Sequence, residues 1–217
     1  MTTPVSPQVL RGGLVLLDSD GRAVKRVVAF QYNPDTLSRS LQVRGASSDA
    51  GDRLEATRLK GPPVETIKLD AEIDAADQLA SPGANGDTVK SGILPELSAL
   101  ESVVTPESTA LQAARQLAAS GTLEILPLPA PLVLFVWGRK RVLPVRVVDF
   151  SILEEAFDPN LNPIRAKLSL SLRVLSADDV AADSRAGGLA MAALQTKEQL
   201  VRRQPPMLQP LGLKALP

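Results

Sequence analysis

IRAKLSLSLRVL, residues 164–175, alternates without a break. Ile164, Ala166, Leu168, Leu170, Leu172 and Val174 share one side, and Arg165, Lys167, Ser169, Ser171 and Arg173 share the other. A period of two over this length describes a long antiparallel strand with one face on a core and the other on water or a second surface. VETIKLDAEID, residues 64–74, repeats the pattern: Ile67, Leu69, Ala71 and Ile73 oppose Thr66, Lys68, Asp70, Glu72 and Asp74. Two such strands make the chain mainly β.

Working outward, PLVLFVWG is apolar on both faces, and Arg139, Lys140 and Arg141 after Gly138 form a polar turn into VLPVRVVDFSILEE, which together predict a hairpin. In its second limb the apolar parity slips from Leu143, Val145 and Val147 to Val148, Phe150 and Ile152, as a β-bulge would produce; Pro144 suits an edge or bulge better than a central ladder. Upstream, GGLVLLDSDGRAVKRVVAFQYNP predicts another hairpin turning at residues 18–21. Asn33 and Pro34 then form a structural turn, because proline lacks an amide hydrogen and restricts the residue before it. Leu37, Leu41 and Val43 resume an apolar side. Phe30, Phe135, Trp137 and Phe150 read as core.

Helix is expected in ILPELSALESVV and PESTALQAARQLAASG, with Thr105 as N-cap, Pro106 in the first turn and Gly121 as the stop. Residues 78–92 and 46–60 read as loops. After Leu175 an Ala-rich stretch, residues 177–203, reads as helix broken at Gly187-Gly188, followed by the Pro-rich QPPMLQPLGLKALP. Such a tail docks on a neighbour or stays mobile, with Met207, Leu208 and Leu211 as its contact residues. The division expected is a β domain over residues 1–176, with a helical insertion at about 93–121, and a C-terminal extension over 177–217. The architecture is an antiparallel β barrel or sandwich with one or two inserted helices (α+β).

Composition removes much of ordinary catalysis. The 217 residues hold no cysteine and no histidine, which excludes disulfides, thiolate nucleophiles, Cys/His zinc sites, Ser-His-Asp triads and imidazole shuttles. Aromatics are 3%, too few for base-stacking platforms, and Lys+Arg and Asp+Glu balance at 24 each, so no general grip on nucleic acid or acidic membrane is expected. No signal peptide or membrane span is read, and the expectation is a cytoplasmically made protein that works on protein partners. Two acidic groups are candidates for a site. Asp70, Glu72 and Asp74 have the spacing for a hard cation but read better as a solvated face. Glu154, Glu155 and Asp158 carry the alternative of a carboxylate-dependent cell-wall glycan hydrolase. The basic tip at Arg139, Lys140 and Arg141 reads as matched to acids on a neighbouring chain rather than to phosphate. GANGDTVKSG lacks the spacing of a phosphate-binding loop. No catalytic residue, cofactor or metal is assigned.

Four phrases stand in a telling order: FQYNPDTL, GPPVETIKLDAEID, FVWG and FDPNLNPIRA. They carry Phe30, Asn33 and Pro34; Gly61, Ile67, Leu69 and Asp74; Phe135, Trp137 and Gly138; and Phe157, Asn160, Pro163, Arg165 and Ala166. From about Gly13 to Leu175 the chain resembles the tube-like protein family of contractile injection systems, the phage-tail-like particles. The resemblance implies a tail-tube-like fold assembled as a hexameric ring. Members act as a non-enzymatic adaptor between the spike of the baseplate hub and the inner tube. Many relatives continue into a LysM module, which the 42 residues after Leu175 do not resemble; the tail is expected to make the baseplate wedge contact instead. A tube-body or tube-terminator role is the alternative. The resemblance further implies that Thr66, Lys68, Asp70, Arg139, Lys140, Arg141, Arg165, Lys167 and Arg173 face the lumen or an adjoining subunit.

Overall fold

The computed structural model describes residues 10–18, 20–45, 58–121, 130–204 and 206–213. Seven strands form one sheet: β1 (Gly13–Leu17), β2 (Val24–Ala29), β3 (Leu37–Gln42), β4 (Val64–Asp74), β5 (Leu132–Val136), β6 (Val142–Phe157) and β7 (Pro163–Val174). Their order is β2-β1-β5-β6-β7-β4-β3, and every pairing is antiparallel. The fold is mainly β, as the alternation requires.

The inward residues of β4 and β7 are buried as read: Ile67, Leu69 and Ala71 on one, Ala166, Leu168, Leu170 and Leu172 on the other. They join Leu14, Leu16, Phe30, Phe135, Leu143 and Val145 in a single core, with Trp137 and Phe150 half-buried against it. The parity slip in β6 is a bulge. The register against β7 shifts between Val147 and Asp149, and Val148, counted on the inward side from its parity, is the extra residue and is exposed. Pro144 lies in a central strand, contrary to the expectation of an edge. Its carbonyl accepts from the Leu175 amide, so its missing N–H faces β7 beyond that strand's last residue and the ladder loses nothing. Leu41 and Val43 do not resume the core. Both are exposed, and Arg39 between Leu37 and Leu41 is turned toward Glu65.

The strands are strongly staggered: β6 pairs β5 through residues 142–145 and β7 through residues 145–157. Stagger of this kind curls a sheet. The curl brings Gln31, two residues past β2, to the end of β4, where its side-chain amide donates to the Asp74 carbonyl (2.7 Å) and accepts from the Asp74 N–H (2.9 Å). First and sixth strands of the sheet thus meet across a seam closed by a side chain.

Among the described residues four helices lie between β4 and β5: α1 (Ala76–Leu79), α2 (Gly86–Ser91), α3 (Leu94–Glu101) and α4 (Ser108–Ala119). The first two fall where a loop was expected. They are held by short-range bonds rather than a buried stripe: Asn85 donates to the Gln78 and Ser81 carbonyls, and Thr88 to the Gln78 side chain. α3 buries Leu97 and Leu100 beside the seam. The insert is pinned to the β6–β7 turn at Gly92. This residue has φ of +57°, and a Cβ there would strike the Pro163 carbonyl, which accepts from Ile93 (2.9 Å). The cap of α4 is Glu107 rather than Thr105, so the helix starts two residues later than read. Residues 122–129, like most of the loop read at 46–60, lie outside the described residues.

α5 (Arg185–Val201) starts at Ser184, whose hydroxyl accepts from the Gly187 amide (3.0 Å). It runs through Gly187 and Gly188 without the expected break; Gly187 is buried, and a Cβ there would strike the Ala181 carbonyl. The helix packs on β6, and its Lys197 reaches Glu65 on β4.

Candidate functional site

The polar sides of β3, β4, β7 and β6 form one continuous outer face. Cross-strand rows run Thr66–Arg173–Arg146, Lys68–Ser171–Asp149, Asp70–Ser169–Ser151, Glu72–Lys167–Leu153 and Asp74–Arg165–Glu155. Five cations, Lys68, Arg146, Arg165, Lys167 and Arg173, stand against five carboxylates, Asp70, Glu72, Asp74, Asp149 and Glu155. Many are paired: Arg165 with Asp74 (2.6 Å) and Glu72 (3.8 Å), Lys167 with Glu155 (3.0 Å), Arg173 with Asp179 (2.6 Å), and Ser169 donates to Asp70 (2.6 Å). The Ala76 amide and then Arg165 hold the Asp74 carboxyl below its ordinary range, and Asp74 in turn raises Arg165. Opposite charges stand in register at Glu72–Lys167 and Asp74–Arg165–Glu155, whereas at the other end Arg173 and Arg146 stand like against like, Arg173 being matched by Asp179; the face as a whole has no net sign. Of the nine residues read as interface candidates, this face collects Thr66, Lys68, Asp70, Arg165, Lys167 and Arg173. Arg139, Lys140 and Arg141 are apart from it, at the β5–β6 turn, where Gly138 has φ of +77° and Trp137 N–H donates to the Arg141 carbonyl (2.8 Å).

Asn33 does more than reverse the chain. Its side chain accepts from the Gly12 N–H and donates to the Leu10 carbonyl, both at 2.8 Å, in the manner of a strand partner. Gln31 does the same for Asp74 on the other side. FQYNP is therefore a pair of side-chain amides, alternating across one strand exit and stitching it to two backbones. Asn33 was read from the sequence only as a turn, and Gln31 was missed. The available signal was two amides at i and i+2 beside a strand end.

The acidic groups do not assemble into a reaction centre. Glu154 and Asp70 are exposed, and Glu155 pairs with Lys167. Asp158 accepts from the Asn160 and Asn162 amides and from the Asn162 side chain, a closed turn that holds its carboxyl below the ordinary range. Among the described residues no group of His, Cys, Asp or Glu is placed to hold a metal ion. No described helix is long and apolar enough to cross a membrane.

Among the described residues one charged side chain is buried. Glu65 lies on the inward parity of β4, 3% exposed, with Arg39 (2.6 Å) from β3 and Lys197 (2.8 Å) from α5 on its two oxygens. Burial pushes its pKa up, but the hydrogen bonds and charges of Lys197 and Arg39 outweigh this and the net shift is downward. It locks the C-terminal helix onto the sheet. Beyond α5, Leu208 is half-buried and Met207 and Leu211 are exposed, the latter in a short 3-10 turn (Gln209–Leu211).

No protein-family model matches the chain, and no curated protein matches it. Among solved structures, it is similar to a chain in the tail of an empty GTA particle of C6 symmetry, at 12% identity and a TM-score of 0.28, over 76% of this chain and 92% of that one. A likeness this slight bears on neither fold nor role.

Proposed function

We propose that this chain is a structural subunit of a contractile injection system, forming a hexameric ring that joins the spike of the baseplate hub to the inner tube. The observation that carries the reading is the outer face of β3, β4, β7 and β6: long, polar, balanced at five cations to five carboxylates in its rows and gathered around no reaction centre. Such a face suits the wall of a conduit, across which cargo of either charge slides without being held. Among the described residues the two sheet margins, β2 and β3, each pair with one strand only, and outside the seam at Gln31 they offer edges by which sheets extend between subunits. The four phrases that resemble the tube-like family fall at the parts that shape this sheet: the seam at Phe30 and Asn33, strand β4, the Trp137 turn and the Pro163 turn.

In this reading the chain catalyses nothing and its work is mechanical. Ring stacking gives a rigid conduit, and the energy of injection comes from sheath contraction elsewhere in the particle. The lumen-facing candidates are Thr66, Lys68, Asp70, Arg165, Lys167 and Arg173, and Arg139, Lys140 and Arg141 meet a neighbouring subunit. The tail at Met207, Leu208 and Leu211 contacts baseplate wedge proteins. Assembly is cytoplasmic, into a particle that can be released. An inner-tube body or a tube terminator is the second reading; the same face favours these equally, and copy number separates them.

Native mass measurement of the chain mixed with its spike and tube proteins tests the proposal. Six-subunit species bound to both are expected, and strictly monomeric behaviour with both present refutes it. Turnover of peptidoglycan that vanishes in Glu154→Gln or Glu155→Gln would instead establish the hydrolase alternative.

A further inference from the structure

α4 has little to hold it in place. It is 12 residues long and buries none of them. At its cap the Lys25–Glu107 ion pair (2.9 Å) ties it to β2. An isolated helix of that length is marginal in water. Its sequence is nevertheless amphipathic: at 3.6 residues per turn Ala110, Leu111, Ala114, Leu117 and Ala118 share one arc, with Arg115 at its border. Leu111 and Leu117 are exposed on that arc.

A second uncovered stripe runs along α5. The side that buries Gly187 and Ala190 continues as Met191, Leu194, Glu198 and Val201, at i, i+3, i+7 and i+10, all of them exposed. Set antiparallel, the two stripes correspond: Leu111 opposite Val201, Arg115 opposite Glu198, and Ala118 opposite Leu194. Apolar residues meet apolar ones, and the single cation meets the single carboxylate.

The layout opposes this pairing within one chain. Val103 and Val104, at the root of α4, line the same cavity as Arg185 and Gly188 at the start of α5. The antiparallel register needs the root of α4 near the other end of α5, about 26 Å away for a helix of this length, and that end is fixed to the sheet by Lys197 and Glu65. We propose that α4 of one copy packs antiparallel on the exposed stripe of α5 in a second copy. The inference rests on the ring reading and supplies its contact. Joining two different patches, the interface is head-to-tail, the kind that closes into a ring.

The absence of cysteine from the chain makes the test clean. A Leu111→Cys chain is mixed with a Val201→Cys chain under mild oxidation, beside a mismatched mixture of Leu111→Cys with Met191→Cys. A disulfide needs Cα atoms within about 7 Å, so linked dimer is expected from the matched mixture at several times the mismatched yield. Arg115→Glu in the first chain should lower that yield roughly threefold, and Glu198→Arg in the second should restore it. Equal yields from matched and mismatched mixtures overturn the proposal, as does a doubly substituted chain that closes on itself at high dilution. Wild-type oligomers without the matched link would overturn the helix pairing alone. A wild-type chain that remains monomeric at every concentration would overturn the ring reading with it.

Discussion

Replacing Lys197 by alanine should destabilise the protein by about 2 kcal/mol although the residue lies half in water, because the cost falls on its partner. The Glu65 side chain is 4% exposed and the Lys197 side chain 47%. Among the described residues Lys197 alone donates to Oε2, and both Arg39 contacts go to Oε1. Without Lys197, a buried carboxylate oxygen loses a charge-assisted bond, a loss of about 1.5–3 kcal/mol. Glu65→Ala should cost about 3 kcal/mol, since the contacts to Arg39 and Lys197 all go and a cavity is left, but two partly exposed cations recover hydration. Arg39→Ala with Lys197→Ala should be worst, at about 3–5 kcal/mol, because the charge stays buried unpaired. For a chain of this size 1 kcal/mol moves the melting temperature by about 2–4 °C, so thermal melts should order the variants Lys197→Ala, Glu65→Ala, double variant. The pH dependence has a definite sign. The folded pKa of Glu65 lies below its ordinary 4.5, so its contribution is present at neutral pH and is lost as pH falls from about 4.5 through the folded value. Lys197→Ala should flatten that acid limb. A Lys197→Ala melt within 1 °C of wild type at pH 7, with an unchanged acid limb, would refute the argument.

Gln31→Ala and Asn33→Ala should each cost about 1–3 kcal/mol, with faster hydrogen exchange at the Asp74 amide in the first and at Gly12 in the second; equal effects on both amides would count against separate stitches. Gly61→Ala should cost about 1–3 kcal/mol, because Gly61 has φ of +153°, a conformation L side chains rarely adopt, and its Cβ would displace the Asp178 carboxylate that pairs with Arg44; a denaturant midpoint unchanged from wild type would contradict this. Lys68→Ala, on the exposed outer face, should leave stability within about 0.5 kcal/mol by the same assay, and a larger loss would mean the face is structural rather than presented.

What the sequence made legible was whatever repeats at a fixed short period. The inward sides of β4 and β7 follow from alternation alone, and the bulge at Val148 follows from the parity slip, because a pleat admits no other way to change sides. Strand order was not legible: that β5 lies beside β1, and that Gln31 meets Asp74, are long-range facts no local period encodes. α1 and α2 were missed because they rest on Asn85, Gln78 and Thr88 bonding locally rather than on an apolar stripe. Glu65 sat in plain view on the inward parity of β4, where a charge should have suggested partners from elsewhere in the chain. The outer-face residues were readable as a set, but their matching into rows needed the register.

The central claim is a place in a particle, so imaging the particle tests it most directly. Electron microscopy of intact injection particles with this chain labelled should show six copies at one axial level, between spike and inner tube, with the face of β3, β4, β7 and β6 along the central channel. Label absent from the particles, or present as single copies off the axis, would contradict the account.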